Sequence, residues 1–274
     1  MHRSTKLTVN SFAYLICLFW LIPVLWMAVM ALKPETATAT TLIEWLMPPY
    51  TWQNVIHVLN NPSANVVLWL GNSVVVSILS TVGVLVLSTL AAFVFSRMRF
   101  AGRSFWFWLI MIGLMVPREA TLIPLYIQFR DLGLLNSYFS IIAPTLAAPF
   151  GLIIMKQFFD GIPEELFEAA RMDGCGWLRT LLNIALPLCK PAMASLGIFV
   201  FLGAWNDFLW PFISVTDTNM MTIPIGLPVF RSQYMTAQAM PMAASAITSI
   251  PIILVFFFFQ KFIVKGITFT GVKG

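Results

Sequence analysis

Charged positions divide the chain into long apolar windows, and these windows set the predicted elements. Residues 7–32 run 26 positions without a charge, and further windows cover about 66–95, 105–125, 138–155, 192–211 and 242–262. Each is near the roughly 20 apolar residues that a helix needs to cross a bilayer. The pattern predicts an all-α, polytopic membrane protein of six transmembrane helices. The first window is too long for the roughly 7–15-residue apolar core of a signal peptide, so it is read as an uncleaved span. Residues 33–65, with Pro48-Pro49 and Asn61-Pro62 as breakers, read as an external loop holding one short helix near 52–59. Gly71, Ser73, Ser77, Ser80 and Gly83 in the second window are small enough to let neighbouring helices approach. Pro117, Arg118 and Glu119 interrupt the third window, and Pro144 and Pro149 lie inside the fourth. Such prolines are tolerated where packed neighbours satisfy the freed backbone groups.

Charge placement orients the bundle. With the N-terminus inside, Arg3, Lys6, Arg97, Arg99, Arg103, Lys156, Arg171, Arg179, Lys190, Lys261, Lys265 and Lys273 fall on the cytoplasmic side. Lys33, Arg118, Arg130 and Arg231 fall outside or near the outer surface. Twelve against four obeys the positive-inside bias, so the topology is N-in, C-in. The net charge of +5 is spread among the spans, which points away from nucleic acid as a partner. Cys17, Cys175 and Cys189 form no CxxC pair and have no companion histidine cluster, so neither a metal site nor a disulfide framework is expected. Hydrophobic residues at 59% and charged residues at 10% leave little polar material outside one cytoplasmic segment.

That segment, residues 156–190, is a polar island between two spans. Asp160, Glu164, Glu165, Glu168 and Asp173 are five of the chain's eleven carboxylates. Pro163 suits the first position of a helix, and Glu164 and Glu165 complement its dipole. The helix is expected to end at Gly174 in a left-handed cap. A second short helix from Trp177 to about Asn183 would present Trp177, Leu178, Leu181 and Leu182, with Leu186-Pro187 ending it. Ala169 and Ala170 permit close approach to another surface, and Glu168 offers a directed charge.

The spacing Glu168-Ala169-Ala170, three residues, Gly174, nine residues, Ile184, one residue, Leu186-Pro187 resembles the cytoplasmic loop of ABC-importer permeases. Asn72-Ser73, the run Trp205–Pro211 and the terminal Gly271-Val272-Lys273-Gly274 are similar to the binding-protein-dependent carbohydrate-uptake branch, of maltose or glycerol-3-phosphate type. The resemblance implies a type I ABC importer permease in a bacterial cytoplasmic (inner) membrane. It implies that Glu168, Ala169, Ala170, Asp173, Gly174, Ile184, Leu186 and Pro187 couple to an ATPase. It also implies that Gly271, Val272, Lys273 and Gly274 make a second contact there. The partners implied are a second permease subunit, two ATP-binding subunits and an external solute-binding protein, besides membrane lipid. Residues 1–65 would then form an N-terminal helix and loop, 66–262 the permease core and 263–274 a cytoplasmic tail.

No GxxxxGK[ST] phosphate-binding loop occurs, so ATP and Mg would sit on the partner, with no cofactor on this chain and no enzyme activity of its own. Asn72, Asn206 and Asp207 are the candidates for the translocation path or its gate, since a polar group inside a span is costly unless paired or wet. Asn206 and Asp207 fit either interhelical bonding or contact with solute hydroxyls, Asn206 first. Arg118 and Glu119 either pair with each other or mark a helix break. The alternatives to a sugar importer are a transporter driven by an ion gradient and the same importer role for glycerol-3-phosphate. An ion-driven carrier predicts inverted repeats and mid-span carboxylates; no internal repeat stands out, and the one carboxylate within a span, Asp207, is peripheral.

Overall fold

The protein is described by a computed structural model covering residues 2–35, 41–233 and 238–269. All regular elements among the described residues are helical. By contacts the chain divides into two units, Met1–Leu70 with Gly226–Pro251 and Gly71–Ile225 with Ile252–Gly274.

In the first unit, α1 (His2–Ala31) is exposed from Val9 to Leu25, as a helix in lipid must be, and buries Met30 and Ala31 at its end. Its C-terminal carbonyls are capped from a distance. Asn54, buried in α3 (Gln53–Leu59), donates its amide to Ala31 O at 2.9 Å and Lys33 O at 2.7 Å. Lys33 is buried too, its ammonium on Met47 O and 4.4 Å from the Tyr50 ring centre. Between them, α2 (Leu42–Trp45) opens with a Thr41–Glu44 capping box. The described part of the segment 33–65 therefore holds two short helices where one was expected. Gly226 lies flat against the indole of buried Trp69, where a Cβ would collide with the ring.

The second unit is organised on α4 (Val66–Arg97), which begins in the first unit and runs 32 residues without proline. It is followed by α5 (Arg103–Ile112), α6 (Arg118–Asp131), α7 (Tyr138–Leu146) and α8 (Pro149–Asp160). The polar island is α9 (Glu164–Met172), α10 (Trp177–Thr180), a π-helical turn Leu181–Ala185 and α11 (Leu186–Leu188). Then come α12 (Lys190–Trp205), α13 (Leu209–Ser214), a 3₁₀ turn Thr218–Met220, α14 (Ile223–Gly226) and α15 (Pro228–Gln233). The last helix, α16 (Ala239–Phe269), contributes to both units, and Phe256–Phe259 on it are exposed, as a lipid-facing surface requires.

Among the described residues three single helices are long and apolar enough to span, and two bent pairs, each counted as one span, raise the total to five. The pairs are α7 with α8, bent by 46°, and Trp177–Leu188 with α12, bent by 79°. The window at 105–125 is not one helix. It breaks at Gly113–Pro117 into α5 and α6, about 15 Å and 21 Å long at 1.5 Å per residue, each short of the roughly 30 Å bilayer core. The break follows from Pro117, which has no N–H and disfavours helix in the residue before it. The window at 192–211 likewise ends as a helix at Trp205, so Asn206 and Asp207 lie in the turn before α13.

Small residues on α4 work as expected, with one exception. Ser73, Ser77 and Ser80 are buried, Gly83 faces Leu146 and Ser88 faces Gly151 of α8. Gly71 has no heavy atom within 4 Å of where a Cβ would be, so its small size serves no contact there.

The candidate coupling knob and the Arg118–Asp207 ion pair

The end of α9 is built by local chemistry. Gly174 takes φ +73°, its N–H donates to Arg171 O at 3.0 Å, and the Cys175 N–H donates to Ala170 O at 2.9 Å. These paired bonds to left-handed glycine are a Schellman cap, the stop that the sequence predicts. Glu164 and Glu165 occupy the first turn and Arg171 the last, each suited to the helix dipole.

Burial sorts the expected coupling residues. Glu168, Ala169, Asp173, Gly174 and Pro187 are exposed, whereas Ile184 and Leu186 are half-buried. Ala170 is buried with Phe167 in the knob's own core, so its small size serves α9 packing and only Ala169 is open to another surface. Met172, Leu178 and Leu182 stand exposed around them, an apolar rim on the knob. A concavity of about 320 Å³ lies between Phe167, Arg171, Cys175, Trp177 and Thr180, with the Arg171 guanidinium 5.1 Å from the Trp177 ring centre.

The second helix differs from expectation. It does not stop at Leu186-Pro187 but stays helical to Leu188 through the π turn, and the Leu186 N–H reaches back to Leu181 O. Pro187 lacks an N–H, and a wider turn just before it absorbs the mismatch. The chain turns sharply only at Cys189.

The knob is bolted to α4. Phe93 packs edge-on to Phe159 and Trp177 and tilted to Phe167. Arg97, with a side chain only 7% exposed, ion-pairs with Glu164 at 2.5 Å. It donates to Phe159 O and, at 2.7 Å, to Ile162 O, and its guanidinium lies 4.1 Å from the Phe167 ring centre. Beside it Ser96 donates to Asp160 at 2.6 Å, and Lys156 pairs with the same carboxylate at 2.6 Å. Sequence reasoning counted Arg97 only as a topology charge. Its place as the first charge after a thirty-residue apolar run was the available sign.

Burial also decides which cysteine reports on this region. Cys189 is buried, and burial pushes its thiol from 9.0 up to about 11, the positive charge of Arg97 offsetting only part. Because the thiolate is the reactive form, a rise of that size cuts its share near pH 8 about a hundredfold. In inverted vesicles stripped of partners, an impermeant maleimide is expected to label Cys175 and spare Cys189. Mass spectrometry of the digested protein reads the outcome. Reagent added outside intact cells is expected to label neither, and outside labelling of Cys175 would reverse the topology.

The three polar path candidates separate. Asn72 is buried, donating to Asn219 O and Met221 O at 2.8 Å each and accepting from the Tyr138 hydroxyl at 2.7 Å. With Ser73 accepting the Ile223 N–H at 2.8 Å, it holds the loop after α13 against α4. Asn206 donates to Leu202 O at 2.8 Å and so caps its own helix rather than a neighbour. Asp207 instead pairs with Arg118 at 2.5 Å, 89 positions away, in place of the Arg118–Glu119 pairing considered from sequence. Asp207 and Arg118 line a cavity of about 570 Å³. Trp205 and Trp210 are both buried, and the Trp210 indole donates to Ser140 O at 2.7 Å.

A family model described as the binding-protein-dependent transport system inner membrane component matches residues 84–269, which take in the knob, the ion pair and all of α16. The chain belongs to this family. It is therefore a membrane permease component of a transport system. It is 34% identical over 254 residues to the arabinooligosaccharides transport system permease protein AraQ of Halalkalibacterium halodurans, covering 92% of this chain and 91% of that one. AraQ of Bacillus subtilis is 32% identical over 271 residues, 98% and 96% of the two chains. The sn-glycerol-3-phosphate transport system permease protein UgpE of Yersinia pestis is 36% identical over 228 residues, 80% of each. Among solved structures, a bacterial ABC transporter involved in import of the acidic polysaccharide alginate matches with a TM-score of 0.77. At 22% identity over 95% of this chain and 98% of that one, it shows the permease fold. The all-α, polytopic type I importer architecture expected from the sequence is thus the fold of this chain.

Proposed function

We propose that this permease is one of two membrane subunits of an ATP-driven importer in the bacterial inner membrane, and that its solute is a carbohydrate or a related polyol. The observation that carries the coupling role is the α9–α10 knob. It presents Glu168, Ala169 and an apolar rim outward while Phe167, Ala170 and Arg97 anchor it inward. A protrusion that is rigid within and apolar outside fits a cleft on a separate ATPase, which would supply ATP hydrolysis, with Mg and nucleotide bound there. Relatives named for arabinooligosaccharides and for sn-glycerol-3-phosphate support the solute class. A structure of the alginate transporter in complex with a periplasmic protein, similar in fold at a TM-score of 0.63, supports an external binding protein as partner.

The test is uptake by vesicles holding the whole complex, with ATP inside and labelled sugars plus binding protein outside. Uptake that needs ATP and ignores imposed proton or sodium gradients is expected. Gradient-driven uptake without ATP rejects the importer reading, and ATP-driven uptake of amino acids alone rejects the carbohydrate class.

Gly271, Val272, Lys273 and Gly274 lie outside the described residues. Their small, basic composition supports a second contact between the ATPases. Deleting residues 270–274 is expected to spare membrane insertion and to lower uptake per ATP hydrolysed. An unchanged ratio removes the tail from the coupling machinery.

A further inference from the structure

We propose that the cavity between α6, α7, α8, α12 and α13 is a solute subsite for a neutral, polyhydroxylated ring, with the Arg118–Asp207 pair as its selective contact. The proposal rests on the importer reading above and adds the site and the charge class of its ligand.

The first support is the cost of the pair. Asp207 is 8% exposed among apolar walls, where an ionised carboxylate is unfavourable unless compensated. Compensation comes from Arg118, at the first position of α6, directly after the break at Gly113–Pro117. A buried carboxylate held by a single arginine on the wall of a cavity is the kind of polar contact that a solute path needs.

The second support is what the pair leaves open. Arg118 is 59% exposed, and its bond to Asp207 uses one of five N–H donors. A hydroxyl both donates and accepts, so one sugar hydroxyl bridges guanidinium and carboxylate without separating them. An anionic ligand instead competes with Asp207 for Arg118 and strands a buried carboxylate. Arg118 and Asp207 are the only charged side chains among the described residues lining the cavity, so its net charge is zero.

The third support is the wall. Phe150 and Phe199, ring centres 5.2 Å apart, offer an aromatic surface for the C–H face of a sugar ring, and Thr121 and Thr145 add hydroxyls. About 570 Å³ lies within the 300–1,000 Å³ of small-molecule sites. Gly203 faces the cavity with no heavy atom within 4 Å of where its Cβ would be, so a thiol there meets open space.

The test uses the complete complex with Cys17, Cys175 and Cys189 replaced and Gly203→Cys as reporter. A small neutral thiol reagent labels the reporter in the presence of each of a panel of probes. Neutral probes are arabinotriose, maltotriose, raffinose and glycerol; anionic probes are sn-glycerol 3-phosphate and trigalacturonate. At least one neutral probe is expected to slow labelling by about fivefold or more, the worth of one to two hydrogen bonds, and the anions are not. In Asp207→Asn the freed Arg118 is expected to reverse the order, so that anions protect and neutral probes lose their effect. The double variant Arg118→Gln with Asp207→Asn is again neutral and is expected to regain protection by neutral probes only. It also shows that the cavity survives the substitutions. Three outcomes overturn the proposal: no neutral probe protects, anions protect the parent equally, or Asp207→Asn changes nothing. ATP hydrolysis stimulated by the binding protein, measured on the same sample, separates the two readings. Its loss in the parent complex fails the importer reading, and its presence with an unprotected cavity fails the subsite alone.

Discussion

Gly174→Val is expected to reduce ATP-dependent uptake to background while the protein stays in the membrane at its normal level. Gly174 sits at φ +73°, and a residue with a Cβ pays about 1–2 kcal/mol there. A β-branched side chain is worse still. No heavy atom lies within 4 Å of the Cβ position, so a steric clash plays no part and the penalty is one of backbone conformation. To escape it the corner must open, breaking the bonds from Gly174 to Arg171 and from Cys175 to Ala170 and swinging α10 away from α9. Gly174→Asn is the control, because asparagine tolerates the left-handed region and is expected to keep much of the uptake. Glu168→Lys asks a separate question, since Glu168 is exposed and its reversal leaves the knob folded. It is expected to weaken co-purification of the ATPase with a tagged copy. Normal uptake by both Gly174→Val and Glu168→Lys at normal abundance would remove the knob from energy coupling.

Arg97→Met is expected to loosen the knob by about 3 kcal/mol, the worth of roughly two hydrogen bonds from a charged donor. Methionine keeps the length and apolar stem but removes the side-chain donor from Ile162 O and from Phe159 O, which keeps only its backbone partner, the Ile162 N–H at 3.1 Å. The ion pair adds little to that figure, because Glu164 is 52% exposed and water screens it. Stacking on Phe167 is lost as well. Limited proteolysis of membranes should show faster cleavage within residues 160–176, with uptake falling in parallel. Arg97→Lys is expected to recover only part, since an ammonium cannot span two carbonyls, a carboxylate and a ring face together. Cleavage of Arg97→Met at the parent rate would show that the apolar packing of Phe93 holds the knob unaided.

The elements legible in sequence are those whose causes are local. The apolar lengths of α1, α4 and α16 and the cap at Gly174 depend on residues close in the chain, and each was placed within a few positions. The breaks at Gly113–Pro117 and before α13 were signalled by proline and polar residues, but a window average hides them. The π turn answers a proline two residues beyond it, a mismatch that hydrophobic patterning does not register. The ties between Asn72 and the loop after α13, between Arg97 and the α8–α9 corner, and between Arg118 and Asp207 join positions 62 or more apart. Nothing in either partner's neighbourhood names the other. Ala170 shows the limit within a motif, since the sequence gives its smallness but not which way it faces.

One consequence follows from the absence of proline in α4. Fastened by Phe93 and Arg97 to the knob and by Asn72 and Ser73 to the loop of residues 219–223, it acts as a stiff beam gripped at both ends. The span from Asn72 to Arg97 is about 37 Å at 1.5 Å per residue. Each degree through which the cytoplasmic grip tilts this beam about its foot therefore carries the outer grip sideways by roughly 0.6 Å, leverage that a helix hinged at proline would dissipate in its own bend.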